Sequence, residues 1–133
     1  MEQIYDPVRK KLVKATPEEK VRQDIIRGLV EHCAVPITHI AVEYAFHYNK
    51  LLYRADVVVF DRTLQPCLMV ECKAPSVALS EETCLQVARY NYVLDVPYIL
   101  LTNGLHSYLC HRNGEGEYSV TNRMPSYEEM CQN

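Results

Sequence analysis

A chain of 133 residues, 48% of them hydrophobic and 23% charged, is long enough to bury one core and too apolar for a disordered segment. The formal charge of -3 sits in residues 113–133, where Glu115, Glu117, Glu128 and Glu129 face Arg123 alone, so residues 1–112 are balanced. That balance neither announces nor forbids a nucleic-acid partner, because a phosphate-binding face can be local. No apolar run reaches membrane-spanning length, no signal-like segment opens the chain, and no glycine-rich Walker loop supplies a motor. The six cysteines show no CxxC pair and read as small buried hydrophobes in a reducing cytoplasm; the five histidines show no HxxxH or HxH spacing for zinc.

In chain order, residues 1–15 read as a short strand or an arm laid along the body. Their Arg9, Lys10, Lys11 and Lys14 form the densest basic cluster, read as a solvated edge. Thr16 as N-cap, Pro17 at the first helical position and Glu19 completing a capping box start a helix. Val21, Ile25, Ile26, Leu29 and Val30 continue it at helical spacing to about His32. After Pro36, ITHIAVEYAF reads as a strand ending near Glu43, with a turn near Asn49.

The next stretch, RADVVVFDRTLQPCLMVECKAP, holds two hydrophobic runs rich in β-branched residues around a polar gap, which is a hairpin signature. Both runs are apolar on both faces, as in strands covered from two sides. A turn centred between Thr63 and Leu64 sets Asp56 opposite Glu71 and Arg54 opposite Lys73. Charges inside such runs are costly unless they are paired or hold a metal. Ser80, Glu81 and Glu82 open a second helix through Leu94, on which Gln86 and Tyr90 share a face. Strands at PYILLTN and LHSYLCHR follow, separated by the Asn103-Gly104 turn; a weaker strand spans residues 117–121, and an acidic tail ends the chain.

The order helix, three strands with Asp and then Glu-x-Lys, helix, and further strands resembles the PD-(D/E)xK nuclease superfamily. The segments TPEEKVRQ, RADVVVFD, VECKAP and QVARYN are similar to the N-terminal nuclease domain of type I restriction enzyme R subunits. The resemblance implies an α/β, restriction-endonuclease-like core with a central mixed sheet of four to five strands flanked by helices, in the order α-β-β-β-α-β-β. It spans about residues 16–112 of a single domain, with an arm over 1–15 and a tail over 113–133. It also implies Asp56 and Glu71 as metal ligands, Lys73 as the catalytic lysine, and Gln86 with Tyr90 as a QxxxY element. Ala55 stands where the superfamily name has proline.

The chemistry agrees with that expectation. Phosphodiester hydrolysis loads negative charge onto phosphate oxygens, and Mg2+, with Mn2+ as a substitute, held by hard carboxylate oxygens stabilises it. Lys73 would orient or deprotonate the attacking water, and Arg89 could add a backbone contact to DNA. The bland alternatives are an ion-pair ladder across the hairpin for Arg54, Asp56, Glu71 and Lys73, an ordinary helix face for Gln86 and Tyr90, and a capping role for Glu19 in place of an auxiliary metal ligand. The expected function is therefore a magnesium-dependent, cytoplasmic DNA nuclease working with a larger restriction or repair complex or a separate motor subunit, and not with a membrane. A catalytically silent nucleic-acid-binding or complex-forming module of the same fold is the other reading.

Overall fold

The computed structural model describes residues 2–132 apart from 91–93, and leaves the side chain of Tyr90 undescribed. The first helix, α1 (Pro17–His32), forms where the sequence places it: the Thr16 hydroxyl accepts the Glu19 backbone N–H at 3.1 Å and Pro17 occupies the first turn. Only half of the expected capping box exists, because the Glu19 carboxylate turns away from Thr16 into an ionic cluster described below. Val21, Ile26 and Leu29 bury one face of α1 against the sheet.

The sheet has six strands in the order β3 (Ile40–Tyr48), β4 (Leu51–Phe60), β5 (Pro66–Cys72), β6 (Tyr98–Thr102), β7 (Ser107–Arg112) and β8 (Tyr118–Thr121). Only β5 and β6 run parallel, and helix α2 (Glu81–Tyr90) is the crossover between them. The remaining neighbours are antiparallel, as tight turns dictate. The turn between β3 and β4 is made by Asn49 and Lys50, both at positive φ, the pairing a two-residue hairpin loop requires. Continuation of α2 to Leu94 concerns residues 91–93, which lie outside the described ones.

Six strands exceed the four to five expected, because the weak segment near residue 118 does pair. Asn113 Oδ1 accepts the N–H groups of Glu115 and Glu117, and Gly116 supplies positive φ, which closes the β7–β8 hairpin. The arm is a separate antiparallel pair, β1 (Gln3–Asp6) with β2 (Lys11–Lys14). The acidic end of the chain is no solvated tail. Ser126 and Glu129 form a complete capping box that starts α3 (Tyr127–Cys131), and Tyr127 and Met130 enter the core. Counting charge over that segment hides the two apolar residues that decide its place.

Val57, Val58 and Val59 are fully buried, as expected of a strand covered on both faces. Val57 and Val59 pack on the α1 side with Leu68, Val70 and Cys72. Val58 and Met69 pack on the α2 side with Ile99 and Leu101. The helix α2 lies over β6, β7 and β8, while Tyr44, Phe46 and Phe60 fill the same face toward β3 and β4.

Candidate active site

Over Val57–Val59 the β4–β5 register has the offset expected of a turn centred between Thr63 and Leu64, with Val57 facing Val70, Val58 facing Met69 and Val59 facing Leu68, and a one-residue shift nearer the turn sets Phe60 opposite Pro66. Asp61 ties that turn, its Oδ1 accepting from the backbones of Thr63 and Gln65 and from the Thr63 hydroxyl. One residue further along this register Asp56 comes beside Glu71. Here the regular ladder stops. The Asp56 carboxylate itself accepts the Cys72 N–H at 2.7 Å, replacing the main-chain partner. The predicted Arg54–Lys73 pair therefore does not form; Arg54 pairs with Ala45 on β3 and is exposed.

On its other side Asp56 meets Glu43. The β3–β4 register runs from Val42 opposite Val57 to Tyr44 opposite Ala55, with Glu43 between them at a φ of 52°. Val42 belongs to the α1 side of the sheet and Tyr44 to the α2 side; Val57 and Ala55 divide the same way. Strand alternation thus reverses at Glu43 and Asp56, which frees both carboxylates from the pleat. Glu43 is therefore an interior position of a nine-residue strand and not its end.

Helix α1 closes the cluster from above. Arg22 is buried, with Nη1 3.4 Å from both Glu19 Oε1 and Glu43 Oε1, and Nη2 3.6 Å from Asp56 Oδ1. Arg9, from the turn of the β1–β2 hairpin, holds buried Asp6 and reaches Glu19 Oε1 at 2.7 Å and Glu43 Oε1 at 3.7 Å. Gln23 Nε2 donates to Glu19 Oε2 at 3.2 Å. Arg9 is thus no solvated edge, although Lys10, Lys11 and Lys14 are exposed. Sequence reasoning missed Arg22, Gln23, Asp6 and Glu19's true partners. A signal existed: Glu19, Arg22, Gln23 and Ile26 follow i, i+3, i+4, i+7, so polar groups lie on the buried stripe of α1.

Glu71 is half-buried, and burial pushes its carboxyl above the usual carboxylate range. The positive charge of Lys73 opposes that rise, while Asp56 and Glu18 add to it. Lys73, whose N–H bonds Thr102 O at 2.8 Å just beyond β5, is partly buried. Gln86 and Arg89 are exposed on α2, whose Cys84 and Ala88 face the sheet. Among the described residues, no hydrogen bond or ion pair joins Gln86 or Arg89 to Asp56, Glu71 or Lys73. The side chain of Tyr90 lies outside the description.

Comparison with known proteins agrees with this fold. The family described as type I restriction enzyme R protein N terminus matches residues 17–125, most of the chain. The chain belongs to that family. A fragment structure of an HsdR subunit of a type I restriction enzyme from Vibrio vulnificus shares the fold, with a TM-score of 0.62 and 19% identity over 86% of this chain. This R-protein N-terminal chain spans 24% of the length of that relative. No curated protein sequence matches it.

The nuclease resemblance would imply a divalent cation, and Asp56 and Glu71 are the residues that would hold one. Asp56 and Glu71 are hard oxygen donors on adjacent strands, and a small dication that keeps several waters needs only one or two protein carboxylates. No three His, Cys, Asp or Glu side chains form a ready cage among the described residues.

Proposed function

We propose that this chain is the nuclease domain of a restriction system, hydrolysing DNA phosphodiesters with the help of Mg2+. Asp56 and Glu71 would hold the cation, which would supply charge stabilisation to the phosphate oxygens. The observation that carries this reading is the broken ladder at Asp56: a carboxylate is detached from the pleat and set beside Glu71, where the fully buried run Val57–Val59 of β4 stops and β5 nears its end.

Each side chain then has a task. Asp56, anchored through its Oδ2 to the Cys72 N–H, would offer the cation its Oδ1, which stands 3.6 Å from Arg22 Nη2. Glu71, which already feels the charges of Lys73 and Asp56, would be the second carboxylate on the cation. Lys73 follows Glu71 by two residues and so leaves the chain on the same side, where its ammonium would orient the attacking water or the scissile phosphate. Glu19 faces the cluster and would act as an auxiliary member through Arg22. Gln86 and Arg89, exposed on α2, would contact DNA, with Tyr90 as a further contact. The motor and the remaining subunits of a restriction or repair complex would be separate partners, and the setting cytoplasmic.

Plasmid, linear and single-stranded DNA incubated with Mg2+ or Mn2+ test this, with Glu71→Ala and Lys73→Ala beside the wild type. Cleavage that both variants lose by about 100-fold or more supports the proposal. Equal activity in the variants, or binding without cleavage by the wild type in complex with its partners, leaves the non-catalytic module.

A further inference from the structure

Arg22 makes an unusual set of contacts for a buried guanidinium. Charge-assisted bonds to carboxylates run at roughly 2.7 to 2.9 Å and are often two-pronged. Arg9 achieves 2.7 Å on Glu19. Arg22 instead stands 3.4, 3.4 and 3.6 Å from three acids on α1, β3 and β4, and its buried Nε has no hydrogen-bond partner among the described residues. It is spread across the cluster and committed to no single member.

We infer that Arg22 is, alongside Arg9, a resident counter-charge of the acidic cluster, offsetting part of the charge of Asp56, Glu43 and Glu19 while no cation is bound and competing with the cation for Asp56. The inference rests on the catalytic reading above and adds to it a limit on cation affinity. Three carboxylates from three elements brought together inside a fold repel one another, and the protein must hold them before any ion arrives. Arg9 holds Glu19 and Glu43 from the arm, and Arg22 reaches Asp56 as well from α1, a helix that is continuous with the core. Long, shared contacts with a spare donor are what an exchangeable partner requires. A purely structural tie would be short and two-pronged.

The two roles predict opposite signs. If Arg22 is a structural tie, removing it loosens the site and weakens cation binding. If it is a competing charge, removing it tightens binding. Mn2+ affinity is read from the electron paramagnetic resonance of free Mn2+ added to the full chain, in the wild type, Arg22→Gln, Arg22→Lys and Glu71→Gln. The expected result is binding about tenfold tighter in Arg22→Gln, within about threefold of wild type in Arg22→Lys, and lost in Glu71→Gln. A gain below about threefold in Arg22→Gln, or an equal gain in Arg22→Lys, overturns the inference. Wild-type binding that Glu71→Gln abolishes while Arg22→Gln leaves it unchanged overturns this inference alone; no wild-type binding overturns the catalytic reading as well. Should Arg22→Gln fail to fold, Mg2+ is titrated into wild-type protein and the Arg22 Nε–H resonance followed. A shift that saturates with the ion supports the competition, and a stationary resonance during binding overturns it.

Discussion

Asp56 does two separable things, and substitution separates them. Its Oδ2 accepts the N–H of Cys72, a residue only 1% exposed, at 2.7 Å. Asp56→Ala leaves that donor buried without a partner, at about 1 to 3 kcal/mol, and strips Arg22 of one of its three counter-charges. Asp56→Asn keeps an acceptor oxygen and removes only the charge; because the side chain is 23% exposed and the Arg22 contact is long, the loss is about 1 kcal/mol or less. Urea denaturation in a chelator at pH 7 measures both. Asp56→Ala is expected to lose about 2 to 3 kcal/mol, or roughly 7 to 10 °C in melting temperature for a chain of this size, and Asp56→Asn less than half of that. Both variants lose Mg2+-dependent cleavage if the proposed function holds. Equal stability of the alanine variant and the wild type would refute the role of Asp56 as the acceptor that ends the ladder.

Burial raises the proton affinity of Glu71 in the folded state, so protonation favours folding: stability is greatest below the unfolded carboxyl pKa and declines as pH rises through the higher folded one. Glu71→Gln is accordingly expected to melt higher than wild type at pH 7 in chelator, with the advantage vanishing near pH 4; thermal melts across that range check it, and a lower melting temperature at pH 7 contradicts it. Met130→Ala, at a core position 1% exposed, should cost about 2 to 5 kcal/mol in chemical denaturation, whereas a mere tail would leave stability unchanged. The thiols of Cys67 and Cys72 are both pushed up to about 12 by burial. In the native protein a thiol-specific reagent should reach half-exposed Cys131 first and these two only on unfolding, as peptide mapping of the labelled chain would show.

Local chemistry made much of this molecule legible without coordinates. Thr16 and Pro17 start α1 by local capping, the spacing of Val21 to Val30 sets its buried face, and the two runs around the polar gap pair with the expected offset at Val57, Val58 and Val59, beyond a one-residue shift at Phe60 that the sequence did not disclose. These depend on neighbours in sequence or on one turn. The acidic end of the chain misled because charge over a window ignores where Tyr127 and Met130 fall. Only the tertiary structure decided that strand alternation reverses at Glu43 and Asp56, that α1 brings Arg22 over three carboxylates, and that Arg9 crosses from the arm to Glu19. Those contacts join residues up to 34 apart, between Arg9 and Glu43 or Arg22 and Asp56, across elements whose relative placement no local rule fixes. Side chains that share one charge balance have to be brought together by packing before their pairing can exist.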